Sequence, residues 1–278
     1  MTVSHYVREI RSSRLAFVGF LIIVSSSLLA GLAVIVSPYD PISMDIQKRL
    51  TPPSISFLFG TDQFGRDVLS RTIYGIGISL FAAFGSISLG LLFGLPAGLI
   101  AGYYGGPIDS LFMRIADVFF SFPIIVLAVA LLAVLGKNVT NVVLAIGLAY
   151  IPVVMRVTRG GVLKVRRLGF VDAARVSGAT NLTIIAHYIF PNSLPPILVN
   201  ATYLASVAIV VEASLSFLGL GTQPPDPSLG LLLSDARQYL RVGPWIAIFP
   251  GLIITILILG FNLFGDGIRD IIDPRMKK

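Results

Sequence analysis

Long apolar stretches separated by short polar or Pro/Gly-rich segments dominate the pattern of this sequence. A helix needs roughly 20 residues to cross about 30 Å of hydrocarbon at about 1.5 Å per residue. Six stretches fit this requirement, at about 15–36, 76–102, 118–135, 139–155, 196–219 and 245–264. The pattern therefore predicts an all-α, polytopic membrane protein with six transmembrane helices.

The first stretch resembles a secretory signal peptide, because Arg8, Arg11 and Arg14 precede it. Its 22 residues exceed a signal-peptide core, and no small-residue cleavage pattern precedes Pro38. We therefore interpret it as a retained span. The predicted organisation is a tail, a first transmembrane helix, a loop, a larger transmembrane domain and a second tail, at 1–14, 15–36, 37–75, 76–264 and 265–278.

The distribution of Lys and Arg predicts the orientation of the six spans. The two tails, the loop after the second span and the segment 156–195 carry 14 of the 21 basic residues. Four of the other seven lie in the long loop 37–75, where the positive-inside bias is weaker. Both termini and 156–195 are therefore predicted to be cytoplasmic, and the loop 37–75 to be external.

Composition limits the function classes that fit. The chain is 55% hydrophobic and 13% charged with a mean hydropathy of +0.88, so lipid is its expected solvent. The net charge of +7 does not indicate nucleic-acid binding, because the basic residues are sparse and separated by apolar runs. The absence of cysteine excludes disulfides, thiolate metal sites and cysteine nucleophiles.

Two features inside the spans call for an interpretation. Small residues recur at every fourth position of the second span, where they let another helix approach closely, at Ala82, Ser86, Gly90, Gly94, Gly98 and Gly102. We favour helix packing over a gating role for this stripe. Glu212 is the one acidic residue well inside an apolar span, and such a carboxylate is costly in lipid. It is a pathway candidate, with a structural role equally open.

Four charged residues precede the second span: Asp62, Arg66, Asp67 and Arg71. In an external loop such charges can stay hydrated and form local pairs. We expect a solvated loop here, with a docking surface for a soluble partner as the alternative.

The segment 170–199 is predicted to form two short helices rather than an open loop. Asp172 favours the positive end of a first helix, and Gly178 supplies the left-handed residue that ends it near Ser177. Thr180 or Asn181 can cap a second helix, 182–190, which Pro191 is expected to end. The predicted apolar stripe of this second helix consists of Leu182, Ile185 and Ile189, with Ile184 as a further candidate. We call the segment 170–199 the elbow. From its amphipathicity alone, it could also lie on lipid headgroups.

The same segment resembles the cytoplasmic loop of the permease subunits of ABC importers. That loop has the pattern E-A-A, then Gly four residues on, then nine residues and I-x-L-P. This chain has Asp172-Ala173-Ala174, Gly178 and Tyr188-Ile189-Phe190-Pro191, with Asp in place of Glu and Phe in place of Leu. The resemblance implies that the elbow is a coupling helix that docks on a separate ATPase. The implied coupling residues are Asp172, Ala173, Ala174, Gly178, Ile189 and Pro191.

Further segments resemble the shorter permease of the dipeptide, oligopeptide and nickel importer group: RSSRLAFVGF, FGTDQFGRDVLSRTIYG, EASLSFLGLG and FNLFGDGIRDIIDPR. This resemblance implies three kinds of partner, namely a homologous second permease, ABC ATPase subunits that bind ATP and magnesium, and an extracytoplasmic solute-binding protein. Peptides are the expected substrate, with nickel chelates and glutathione as alternatives.

The chain itself is not expected to be an enzyme or to bind a cofactor or metal. Its one Gly-Lys pair, Gly136-Lys137, lacks the rest of a phosphate-binding loop. No catalytic residues are predicted, because the spans offer no Cys, no His and no paired carboxylates. The alternative from another class is a proton- or ion-coupled secondary transporter, which would need titratable groups near mid-bilayer. Only Glu212 approaches that description, and its expected position is off centre, near the outer leaflet.

Overall fold

The computed structural model describes residues 13–272. Its first half contains six helices: α1 Arg14–Gly31, α2 Ala33–Val36, α3 Val68–Tyr104, α4 Gly106–Phe120, α5 Ile124–Leu135 and α6 Val139–Val165. Its second half contains five: α7 Gly169–Val176, α8 Asn181–Thr183, α9 Phe190–Phe217, α10 Leu229–Ala236 and α11 Trp245–Ile272. A π-helical turn, Ile184–Ile189, joins α8 to α9, so that 181–217 is one continuous helix. Residues 1–12 and 273–278, which include most of the first predicted tail and the end of the second, lie outside the described part.

Within the described residues, five helices are long and apolar enough to cross a membrane, and α4 with α5 brings the number to six. The predicted all-α, polytopic fold is thereby confirmed. The first span packs along α11, where Gly19 lies against the backbone of Phe264. It is therefore an integral part of the helix bundle.

The third span is not the continuous helix 118–135 that the apolar pattern predicted. It is broken between Phe120 and Ile124, and α4 and α5 meet at an angle of 86°. Pro123 caps α5 with an extended ψ of 139°. Because proline disfavours helical backbone in the residue before it, Pro123 favours the end of α4 before Phe122.

The small residues of the second span form a close contact with another helix. All six of them, from Ala82 to Gly102, are buried. A Cβ on Gly94 would lie 2.5 Å from the carbonyl oxygen of Ile151, and one on Gly98 would lie 2.5 Å from that of Met155. The packing interpretation of this stripe is therefore confirmed, with α6 as the partner helix.

Several predicted helix ends were wrong. The second span starts at Val68, within the range 37–75 assigned to a loop, because the Asp67 side chain accepts a hydrogen bond from the backbone N–H of Ser70 and caps the helix. The fourth span continues beyond Met155 to Val165, and the last continues from Phe264 to Ile272, within the predicted tail. Helix α10 lies between the fifth and sixth spans and was not predicted.

Pro191 was expected to end the second elbow helix, but it does not. The helix runs through Pro191, Pro195 and Pro196 without a break. A regular α-helix would need a backbone N–H at Pro191, which proline lacks. The wider π-helical turn, Ile184–Ile189, lies just before this proline. The fifth span and the second half of the elbow are consequently one continuous helix.

Candidate functional site

The elbow contains a helix turn built around Gly178. Helix α7 ends at Val176, and Gly178 has a φ of +82°. The N–H of Gly178 donates to the carbonyl of Arg175 and that of Ala179 to the carbonyl of Ala174, both at 3.1 Å. This pair of hydrogen bonds is the Schellman arrangement, which needs a left-handed residue at the glycine position. The predicted left-handed stop is confirmed.

The second half of the elbow begins with the predicted cap. The Thr180 side chain accepts a hydrogen bond from the backbone N–H of Thr183 at 3.3 Å. Asn181 has a different contact, because its Oδ1 accepts a hydrogen bond from the Tyr103 hydroxyl at 2.7 Å. This bond ties the elbow to the end of α3.

One face of the elbow is buried against the molecule's own helices. Val171, Ala174, Ile184 and Ile189 form an apolar cluster with residues of α3 and α6, namely Tyr103, Val162 and Val165. Of the predicted apolar stripe, Ile184 and Ile189 are fully buried, whereas Leu182 is 77% exposed. A movement of the elbow would thus also move the ends of α3 and α6 against which it packs. In the predicted topology these ends are cytoplasmic.

The opposite face of the elbow is exposed and partly apolar. Val176 is 90% exposed, and Leu182 is exposed as well. Of the predicted coupling residues, Asp172, Ala173, Gly178 and Pro191 are exposed, whereas Ala174 and Ile189 are buried. The structure therefore divides the six residues into an outer group that a partner could touch and an inner pair that anchors the motif.

Glu212 is fully buried within the described chain and is held by two serines. The Ser79 hydroxyl of α3 donates to one carboxylate oxygen at 3.1 Å, and the Ser216 hydroxyl donates to the other at 2.8 Å. Ser216 also accepts a hydrogen bond from the N–H of Thr222 at 3.3 Å. Glu212 thereby joins α3, α9 and the chain that follows α9, which favours a structural role, and its pathway role stays a prediction.

The charges before the second span do not form a solvated loop, so that expectation was wrong. Asp62, Arg66, Asp67 and Arg71 are each at most 3% exposed. Arg66 Nε lies 2.6 Å from Asp62 Oδ2, and Arg66 reaches Asp235 of α10 at 3.6 Å. Burial is possible because α10 covers these residues, and α10 had no signal in the apolar pattern.

A cavity of about 920 Å³ opens beside this charge cluster. It lies between the loop before α3 and the segment from the end of α9 to α10, and its charged lining is Arg66, Arg71, Asp235 and Arg237. Burial raises the pKa of the Asp235 carboxyl, with hydrogen bonding to Gln63 and the charges of Arg66 and Arg71 opposing that rise. The cavity is a second candidate site, on the side of the molecule away from the elbow in the predicted topology.

Comparison with known proteins identifies the family. Residues 94–278, which include the elbow, match the family of binding-protein-dependent transport system inner membrane components. The chain belongs to this family. It is therefore a transport permease and a multi-pass membrane protein, as predicted.

Two curated relatives align over nearly the whole chain. The dipeptide transport system permease protein DppC of Alkalihalophilus pseudofirmus is 43% identical, with 97% of this chain and 89% of the relative covered. The glutathione transport system permease protein GsiD of Escherichia coli O6:K15:H31 is 40% identical, with the same two coverages. The assignment to the dipeptide and oligopeptide group of ABC importer permeases is thus confirmed.

A solved structure shares the fold at low sequence identity. The inward-facing MetNI methionine ABC transporter has a chain that aligns with a TM-score of 0.61 and 20% identity. The alignment covers 73% of this chain and 97% of that chain. At this identity the similarity concerns the fold alone.

Proposed function

We propose that this permease forms half of the translocation pathway of an ATP-driven importer for dipeptides and other short peptides. A homologous second permease would supply the other half. ATP and magnesium would bind to separate ABC ATPase subunits, and an extracytoplasmic solute-binding protein would deliver the substrate. Both termini of this chain would be cytoplasmic. Family membership supports the general class, and the names of the relatives support the substrate.

The observation that carries the proposal is the two-sided elbow. Its inner face is packed on α3 and α6, while its outer face exposes Val176 and Leu182. Apolar side chains exposed beside polar neighbours are typical of a surface that docks in a groove of a partner. An ATPase bound there would move α3, α6 and α9 together when it closes on nucleotide.

Glutathione is the second substrate candidate, because a relative of 40% identity carries that name. It is a tripeptide, so it falls in the same chemical class as the first candidate. Nickel chelates, the third candidate from the sequence, have no support from the relatives described above.

A proton- or ion-coupled mechanism remains the alternative class. It would need a carboxylate that faces an ion and changes its contacts during transport. Glu212 accepts hydrogen bonds from two serines on both of its oxygens and is enclosed by its own chain. This arrangement favours the ATP-driven mechanism.

Reconstitution of the complete transporter tests the proposed function. The two permeases, the ATPases and the binding protein would be purified together and placed in proteoliposomes. We expect accumulation of alanylalanine that requires ATP and magnesium and persists when the proton gradient is collapsed. Uptake driven by a proton gradient without ATP would contradict the proposal.

A cross-link tests the docking surface separately. The chain contains no cysteine, so Val176→Cys introduces a single reactive position on the outer face of the elbow. We expect a short bifunctional maleimide to join it to a cysteine placed in the groove of the ATPase. Ser54→Cys, on the predicted external side, is the matched control and should give no such product. Equal yields at the two positions would contradict the docking surface.

A further inference from the structure

The cavity beside α10 is lined by the buried guanidinium group of Arg71, and one N–H of this group lacks an acceptor. Arg71 is 1% exposed, and its NH1 donates to the carbonyl of Pro41 at 2.8 Å. Its Nε has no hydrogen-bond partner within residues 13–272. The nearest carboxylate oxygen, Oδ2 of Asp62, is 3.6 Å away, which is too long for a hydrogen bond.

The carboxylate of Asp62 is held in place by three other hydrogen bonds. Its Oδ1 accepts from the backbone N–H groups of Phe64 at 2.8 Å and Arg66 at 3.0 Å. Its Oδ2 accepts from Arg66 Nε at 2.6 Å. Asp62 therefore makes its closer ion pair with Arg66, and the Nε of Arg71 is left without a hydrogen-bond acceptor.

The same cavity also contains an acceptor that lacks a donor. The side-chain carbonyl oxygen Oε1 of Gln63 is buried and has no partner within the described chain. Asp235, the carboxylate of the lining, is hydrogen-bonded to the Gln63 side chain and lies 3.6 Å from Arg66 Nη2. An acceptor for N–H groups and a carboxylate thus line the cavity together with Arg71.

Buried polar groups without partners are costly, by about 1–3 kcal/mol each and more when charged. A ligand with an anionic acceptor for Arg71 and a cationic N–H donor for Gln63 Oε1 and the Asp235 carboxylate would complement all three groups. The cavity volume of about 920 Å³ lies within the roughly 300–1,000 Å³ typical of small-molecule sites. A short peptide with free termini has both groups and this size.

We propose that this cavity is a substrate subsite of the permease that binds a short peptide by its two charged termini. The carboxylate accepts hydrogen bonds from Arg71, and the ammonium group donates to Gln63 Oε1 and Asp235. The inference rests on the proposed peptide specificity and adds to it a second point of recognition. The permease would then select for free termini independently of the binding protein.

Direct binding to the transporter without its binding protein tests the subsite. The complex of both permeases and the ATPases would be placed in nanodiscs, and radiolabelled alanylalanine would be displaced by unlabelled alanylalanine, its C-terminal amide and its N-acetyl derivative. We expect the amide to bind at least tenfold more weakly than the free peptide, because it loses the charge-assisted contact with Arg71.

Three variants identify the residues. Arg71→Gln should weaken alanylalanine binding about tenfold and remove the preference over the amide, and Arg71→Lys should have an intermediate effect. Gln63→Leu leaves every charge in place, so it carries the test if the Arg71 variants do not assemble. It should reduce the preference for the free amine over the N-acetyl peptide. Lys48→Gln, an exposed cation of the same external segment, is the matched control and should bind like the wild type.

Two results would overturn the subsite. One is equal binding of the free peptide, the amide and the N-acetyl peptide by the wild-type complex. The other is wild-type selectivity in both the Arg71 and the Gln63 variants. ATP-driven uptake of alanylalanine by the complete wild-type system separates this failure from that of the proposed function. If uptake occurs without selectivity in the cavity, only the subsite is wrong, whereas absence of uptake contradicts the peptide importer itself.

Discussion

Glu212 shows how one side chain can connect three parts of the bundle. Glu212→Leu would leave the hydroxyls of Ser79 and Ser216 without their acceptor, at a cost of about 1–3 kcal/mol each. Glu212→Gln keeps one side-chain oxygen and nearly the same shape. We therefore expect the melting temperature of the purified protein in detergent to fall by several degrees in the Leu variant and much less in the Gln variant.

The same Gln variant distinguishes the structural role from a transport role. If Glu212 only positions helices, Glu212→Gln should retain most ATP-driven uptake. Loss of uptake with an unchanged melting temperature would instead place Glu212 in the pathway.

Gly178 is the residue at which the elbow depends on backbone conformation alone. An added Cβ would meet no atom within 4 Å among residues 13–272, but a φ of +82° is strained for a β-branched residue by about 1–2 kcal/mol. We expect Gly178→Val to reduce uptake per ATP hydrolysed in the reconstituted transporter, because the turn that positions the outer face shifts. Gly178→Asn should be milder, since Asn tolerates this region.

A neighbouring glycine provides the control for this substitution. Gly169, the first residue of α7, likewise has no atom near its added Cβ within the described chain, but it is not in the left-handed region. Gly169→Val should therefore leave coupling close to that of the wild type. Equal losses in the two valine variants would show that side-chain bulk at the docking surface matters rather than the turn.

Residue-level prediction from the sequence succeeded where the determinant was local. The stop at Gly178 and the cap at Thr180 depend on neighbours within a few positions, so the sequence contains their cause. The contact of Arg66 with Asp235 of α10, by contrast, joins residues that lie far apart along the chain. Charged residues in a loop gave no signal of that contact.

At the scale of helices, the stripe of α3 sets how closely α6 can approach. Gly94→Ala and Gly98→Ala would each place a methyl group 2.5 Å from a backbone carbonyl oxygen of α6, which cannot move without moving its helix. Overpacking of this kind costs about 1–3 kcal/mol. We expect a lower melting temperature in each variant, measured on the purified protein in detergent.

Gly77→Ala is the control on the same helix. Its added Cβ would lie 3.7 Å from the Cβ of Ala30, an ordinary contact. Because alanine is the better helix former by about 0.5–1 kcal/mol, this variant should be neutral or slightly more stable. If all three variants melt alike, the close contact between α3 and α6 does not limit stability.

Prolines limited the prediction of helix ends in two opposite ways. Pro123 does break the third span, yet the continuous apolar run concealed the break. Pro191 was expected to end a helix and does not. The helix continues through it after a wider π-helical turn, although Pro191 has no N–H to donate. A hydropathy pattern records burial in lipid and not backbone geometry, so it located the spans better than their ends.

At the scale of the whole molecule, the number and order of spans followed from hydrophobicity because lipid requires long helices whose backbone hydrogen bonds are internal. The outer cavity could not be predicted from hydrophobicity, because it forms between two connecting segments that cover each other. The sequence thus predicted the bundle and the elbow, whereas the candidate subsite became visible only when Arg71, Gln63 and Asp235 were placed together.

The orientation of the bundle decides whether the elbow and the outer cavity face opposite compartments. Ser54 and Ser110 are both exposed and lie in segments predicted to be external and cytoplasmic, respectively. In a chain without cysteine, Ser54→Cys should react with a membrane-impermeant maleimide in intact cells, whereas Ser110→Cys should react only after permeabilisation. The two substitutions are chemically identical, so each controls for the other. The reverse pattern would put the elbow outside the cell, where no ATPase could reach it, and the positive-inside assignment and the proposed coupling mechanism would both be wrong.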